Sequence, residues 1–142
     1  DRPKAMVADP ALALRLARVK PASLGPLSGQ FLGPALEGFV AGELAKQRGW
    51  SAIGFDLYHY RSSGGVEVDL VVELEDGRLY GIEVKATQSV LAGHVKNLRL
   101  WAARLGERFA GGVVLSLAAR AGSHGGGIWS LPLETLWRQP AV

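Results

Sequence analysis

The segment from Val66 to Ala86 constrains the fold more than any other, because its side chains alternate strictly around one short turn. Val66, Val68, Leu70, Val72 and Leu74 occupy one face of a predicted strand, and Glu67, Asp69, Val71 and Glu73 the other. A following strand, Arg78 to Ala86, sets Tyr80, Ile82 and Val84 against Gly81, Glu83 and Lys85. A two-residue turn at Asp76-Gly77 would oppose Leu70 to Glu83 and mix the two faces. A three-residue loop, Glu75-Asp76-Gly77, with Gly77 left-handed, instead pairs Leu74 with Arg78, Val72 with Tyr80 and Leu70 with Ile82. Continued inward, that register sets Val68 against Val84, Asp69 against Glu83 and Glu67 against Lys85.

Opposed carboxylates about 5 Å apart at Cβ destabilise a sheet and call for compensation. A divalent cation such as Mg²⁺, held by hard oxygen ligands at roughly 2.1 Å, provides it directly. Lys85 projects from the face of Glu83 at a Cα separation of roughly 6.6 Å, within reach of an attacking water or of charge building on a phosphoryl group. The plainer alternative is a Glu67–Lys85 surface ion pair with Asp69 and Glu83 on a solvated face.

Around this hairpin, Asp9 and Pro10 open a helix over Ala11–Val19, Pro21 to Gly29 form a loop, and a second helix runs from Pro34 to Arg48 before Gly49. Its apolar stripe is Leu36, Phe39, Val40 and Leu44. At 100° per residue Glu43 falls inside the stripe and Glu37 on its border. Lys4–Ala8 reads as a short strand, and Ile53, Phe55 and Leu57 as part of one ending near Arg61, followed by the turn Ser62-Ser63-Gly64-Gly65. A third helix carries Leu91, Val95, Leu98, Trp101, Ala102, Leu105 and Phe109 within an arc of about 120°. Gly112–Leu117 and Gly127–Leu131 read as strands, and Pro132 opens a last helical turn through Trp137.

The size of the chain, 142 residues, is that of one domain, and no linker divides it; residues 1–28 read as a junction segment before the core. Cys is absent, which excludes disulfides, thiolate zinc sites and cysteine nucleophiles. The 16 Lys and Arg exceed the 13 Asp and Glu by 3, a balance that permits nucleic acid as a partner without requiring it. No apolar run approaches the roughly 18 residues of a membrane span, so no membrane partner is expected and the chain reads as cytoplasmic.

Gly33-Pro34-Ala35-Leu36-Glu37, then Asp69, then Glu83-Val84-Lys85 resemble the PD-(D/E)XK nuclease core, in which a helix bearing Glu precedes a strand with Asp and a strand with Glu-x-Lys. Asp9-Pro10-Ala11-Leu12-Ala13, Leu36 to Leu44, Tyr60-Arg61, Glu67-Val68-Asp69-Leu70, Phe109 to Leu115 and Leu131 to Trp137 together resemble, more narrowly, the domain of unknown function 4143, the C-terminal portion of bacterial and archaeal AAA+-type ATPases. The resemblance implies an α/β, restriction-endonuclease-like core with a mixed central sheet flanked by helices in the order αβββαβ. It implies metal ligation by Asp69, Glu83 and the Val84 carbonyl, with Mg²⁺ or Mn²⁺ as cofactor, Lys85 as catalytic lysine, and Glu37 in the helical acidic role, for which Glu43 is the rival. Arg61 is assigned to a phosphate or else to Glu67 or Asp69, and Gln88 to substrate.

The partners implied are DNA and the ATPase domain of the same parent chain. Metal-dependent hydrolysis of DNA is the leading expectation. The alternatives are a catalytically silent module that binds nucleic acid or protein, and an assembly domain through which the ATPase forms a homo-oligomer. No phosphate-loop motif is present, so no ATP binding is expected of this segment. His94 reads as a satisfied core histidine, and His59 and His124 lack metal-ligand spacing. Lys96, Arg99, Arg104 and Arg108 spread around their helix as a solvated surface, and the four Trp residues read as core positions rather than a base-stacking platform.

Overall fold

A computed structural model describes residues 9–24 and 31–138. The strand expected over Lys4–Ala8 lies outside them. Helix α1 (Pro10–Leu16) starts where the sequence places it: the Asp9 carboxylate accepts from the Ala11 and Leu12 N–H groups at 2.8 and 3.0 Å. After a 3₁₀ turn at Pro21–Leu24, α2 (Leu32–Arg48) ends at Gly49, two residues longer at its start than the Pro34 boundary.

The sheet is mixed and six-stranded, with order β1-β2-β3-β4-β6-β5. Strands β1 (Phe55–Arg61), β2 (Glu67–Leu74) and β3 (Leu79–Lys85) form an antiparallel meander. Helix α3 (Lys96–Leu105) then carries the chain to β4 (Phe109–Ser116), parallel to β3. Strand β6 (Ile128–Pro132) lies parallel to β4, and β5 (Gly122–Ser123) closes the far edge. The class is α/β, a mixed sheet flanked by helices, and the run from α2 to β4 follows αβββαβ. Among the described residues no helix is long and apolar enough to cross a membrane.

The β2–β3 turn has the expected geometry. Gly77 has φ +80°, Leu74 N–H donates to the Arg78 carbonyl and Gly77 N–H to the Leu74 carbonyl, each at 2.9 Å. Leu70 pairs with Ile82 and Val72 with Tyr80. The ladder ends there, so the expected pairs Asp69–Glu83, Val68–Val84 and Glu67–Lys85 do not form as ladder partners.

The strict alternation assigned to β2 also breaks. Tyr58 pairs with Val71 but Tyr60 with Val68, so His59 alone opposes both Asp69 and Leu70, a β-bulge. The extra residue turns Val66 and Val68 to the face of Val71. These three join Leu79, Val95, Leu98, Trp101, Val114 and Ile128 beneath α3. Leu70 stays on the opposite face with Val40, Leu44, Ile82, Val84 and Leu115 beneath α2.

Three further boundaries differ from expectation. The third helix is α3 between two 3₁₀ segments, Ala92–Val95 and Gly106–Arg108, and Phe109 begins β4. Gly106, at φ +56°, ends the helix. The last helical turn is 3₁₀, Leu133–Leu136. Of the tryptophans only Trp101 is in the core; Trp50, Trp129 and Trp137 are exposed. Ile53 is exposed as well, because the strand begins two residues later at Phe55.

Candidate active site

Bulge and parting ladder together set the positions of three side chains. Past Leu70 and Ile82 the next hydrogen bond of an antiparallel ladder would take the Val84 N–H to the Val68 carbonyl. Instead Asp69 Oδ2 accepts the Val84 N–H at 2.9 Å, inserting a carboxylate where the strands separate. Glu83 follows from the ordinary alternation of β3, on the α3 side with Leu79 and Gly81. Lys85, two residues on, lies beside Ser116 of β4.

Lys85 joins the two acids. Its Nζ lies 2.6 Å from Glu83 Oε2 and 3.5 Å from Asp69 Oδ2. Glu83 is 3% exposed and Asp69 7%, while the Lys85 side chain is 31% exposed, so the lysine is the member that reaches solvent. Glu83 Oε1 is buried and has no hydrogen-bond partner. Burial, reinforced by the charge of Asp69 and opposed by Lys85, pushes the Glu83 carboxyl up to about 7. Burial draws the Lys85 ammonium down, but its hydrogen bond to Glu83 and the charges of both acids outweigh that and leave its pKa raised.

A buried carboxylate oxygen with no donor costs free energy as it stands and is a ready ligand for a hard cation. Glu83 supplies one such oxygen and Asp69 a second buried carboxylate, and the Val84 carbonyl is the third donor expected. Among the described residues no group of three or more His, Asp or Glu side chains is arranged to hold a metal ion. Glu43 pairs with Lys46 of its own helix and does not enter the group. It stays partly buried there, in keeping with its place on the apolar stripe. Glu37 is half-buried on α2, one turn before Val40, which packs in the same cluster as Val84.

Arg61 is exposed, its Nε 3.9 Å from Glu67 Oε2, so of Glu67 and Asp69 it is Glu67 that lies within ion-pair reach. His59 Nε2 is 3.9 Å from the other oxygen of Glu67, whose own partner was expected to be Lys85. Gln88 is exposed at the tip of a turn in which Thr87 N–H donates to the Lys85 carbonyl and Thr87 Oγ1 accepts from Ser89 N–H. His94 serves as a local cap, its Nδ1 accepting from Leu91 N–H at 3.1 Å, rather than as a core residue.

The bulge at Asp69 is the feature that alternation alone missed. Its trace in the sequence is Val71, an apolar residue in a slot that strict alternation reserves for a polar one. Ser116, buried beside Lys85, is not marked by the sequence either, since a Ser ending an apolar strand carries no signal of its own.

The family model described as Domain of unknown function (DUF4143) matches residues 32–136. The chain belongs to this family. The match spans α2 to the final 3₁₀ turn and so contains every candidate site residue, while α1 lies outside it. No curated protein and no solved structure matches the chain.

Proposed function

We propose that this DUF4143 domain is a restriction-endonuclease-like, PD-(D/E)XK-type hydrolase of DNA phosphodiester bonds, dependent on Mg²⁺ or Mn²⁺ and forming the C-terminal part of an ATP-binding protein. The observation that carries the reading is the convergence of buried Asp69 and Glu83 on Lys85 where β2 and β3 part, with Glu83 Oε1 left without a donor. Asp69, Glu83 and the Val84 carbonyl are the groups that would hold the metal. When bound, such an ion acts as a Lewis acid on a phosphoryl oxygen and lowers the pKa of coordinated water.

The chain's own residues supply the rest. Asp69 is fixed in orientation by the Val84 N–H, so its second oxygen is presented without loss of side-chain entropy at binding. Lys85, solvent-accessible and cationic, orients the attacking water or offsets the charge that builds on the phosphoryl oxygens. Arg61, exposed and only loosely paired, and Gln88 at its turn tip contact the substrate backbone. Glu37 takes the acidic role on the helix.

A second reading rests on the same lysine. Lys85 already neutralises Glu83 at 2.6 Å, and the chain carries a net charge of only +3, features also suited to a silent binding or assembly module of an ATPase. Titration with Mn²⁺, followed by cleavage assays on plasmid and branched DNA, separates the two. Hydrolysis that requires the divalent ion and is lost in Asp69→Asn supports the enzyme. Failure to bind Mn²⁺ together with intact DNA in every assay refutes it.

A further inference from the structure

Helix α3 contains no acidic residue from Lys96 to Leu105, and it buries Leu98 and Trp101 against the sheet. Its outer face exposes Lys96, Arg99 and Arg104, spread over roughly 12 Å of helix axis. A solvated basic surface usually spends its charge on neighbouring carboxylates, and several arginines of this protein do so: Arg48 pairs with Asp56, Arg78 with Asp76, Arg108 with Glu73 and Arg138 with Glu134. The α3 arginines are held differently. Arg99 Nη2 donates to the His124 carbonyl at 2.9 Å, and Arg104 Nη1 to the Tyr60 hydroxyl at 3.3 Å. Both guanidinium groups are thus oriented by neutral acceptors and keep their charge unspent.

The position of Arg104 links this face to the candidate active site. A side chain at Gly64 would meet Arg104 Nη2 at 3.8 Å, so the guanidinium lies over the turn that joins β1 to β2. Asp69 is the third residue of the strand that leaves this turn. A guanidinium fixed in place but not neutralised binds a phosphate with less ordering cost than a mobile one. Lys96, Arg99 and Arg104 cover about 140° of the exposed side of the helix, Arg99 held toward the β5 edge of the sheet and Arg104 toward the β1 edge, and with no acid between them on α3 they make a broad cationic surface that complements a polyanion.

We propose that the outer face of α3 is a contact surface for the phosphate backbone of duplex DNA, with Lys96, Arg99 and Arg104 as its cations. The choice of DNA rests on the hydrolase reading; the cationic surface does not. Contacts of this kind position a duplex and carry no sequence preference.

The test is anisotropy of a labelled duplex of about 20 base pairs with the full chain in EDTA, so that binding is read apart from cleavage. The Arg99→Gln/Arg104→Gln double variant is expected to weaken binding at least about tenfold near 0.1 M salt and to flatten the log Kd against log salt slope by about 1.8. Lys96 has no partner in the described structure, so Lys96→Glu is expected to weaken binding with an unchanged melting temperature. Absence of binding by the parent chain, or unchanged affinity and slope in both variants, overturns the proposal. So does competition by polyglutamate equal to that of unlabelled duplex at the same charge, which would point to an acidic protein. Binding that follows these cations with no cleavage in Mn²⁺ sinks the hydrolase reading alone, whereas cleavage with binding indifferent to them sinks this surface alone.

Discussion

Asp69 Oδ2 accepts the backbone N–H of Val84 at 2.9 Å, so one acid takes the place of a ladder carbonyl and is held beside a second acid one residue earlier in β3. The contact makes Asp69 part of the sheet's hydrogen bonding as well as of the candidate site. Asp69→Ala should therefore leave a buried N–H without an acceptor and cost about 1–3 kcal/mol. Asp69→Asn keeps an oxygen at that position and removes repulsion with Glu83, so without metal it should equal or exceed the parent in stability while losing Mn²⁺ binding. Urea unfolding in EDTA distinguishes the two; equal losses would contradict the proposed role of the hydrogen bond.

Glu83 sets a pH dependence with a definite sign. Its carboxyl rises from 4.5 to about 7 on folding, so the folded chain holds this proton more tightly than the unfolded chain does. The associated stability is complete below about pH 4.5 and is lost as pH climbs through about 7, by about 3 kcal/mol at most. Glu83→Gln, neutral throughout, should flatten this decline. Unfolding midpoints in EDTA across the interval, compared between parent and variant, provide the check.

Lys85→Ala should keep Mn²⁺ binding, because both carboxylates and the Val84 carbonyl remain, but slow any cleavage by on the order of 10²-fold or more. Parallel metal titrations and single-turnover cleavage measure the two effects. Cleavage at the parent rate would remove Lys85 from the chemistry.

Gly81 faces α3 at closest approach. A Cβ there would lie 2.7 Å from Leu98 Cδ2 and 2.8 Å from Trp101 Cζ3, both side chains buried. Gly81→Ala should cost about 1–3 kcal/mol and alter the near-ultraviolet dichroism of Trp101. Gly77→Ala should cost about 1–2 kcal/mol for a different reason: its added methyl meets nothing, but φ +80° disfavours any L side chain. Thermal unfolding of both, with the dichroic change confined to Gly81→Ala, tests the distinction.

The β2–β3 register was legible because only an odd-length loop aligned Leu70 with Ile82 and Val72 with Tyr80, and Gly77 supplied the residue that such a loop demands. That register also set Asp69 across from Glu83, but the ladder ends at Leu70 and Ile82, and the two acids meet instead through Lys85 and the bond of Asp69 to the Val84 N–H. Alternation is a two-residue period, and one inserted residue opposite His59 reverses its phase beyond the bulge without changing composition. The third helix was overextended for a related reason: 3₁₀ turns at both ends and the first residue of β4 keep their apolar groups in phase with a 3.6-residue period, and Phe109 does pack edge-on to Trp101. Strand β5, two residues of Gly and Ser, carries no periodicity to detect.

That short strand also limits how copies of the chain can associate. The two edges of the sheet are unequal: β1 presents seven residues, whereas β5 presents two, followed by glycines at positive φ that cannot extend a ladder. Strand addition at β1 by a second copy would use up the one long edge among the described strands of each molecule and leave two blunt ends facing outward. Among the described residues, edge-to-edge growth would stop at a closed pair, and these strands offer no route to an open fibre.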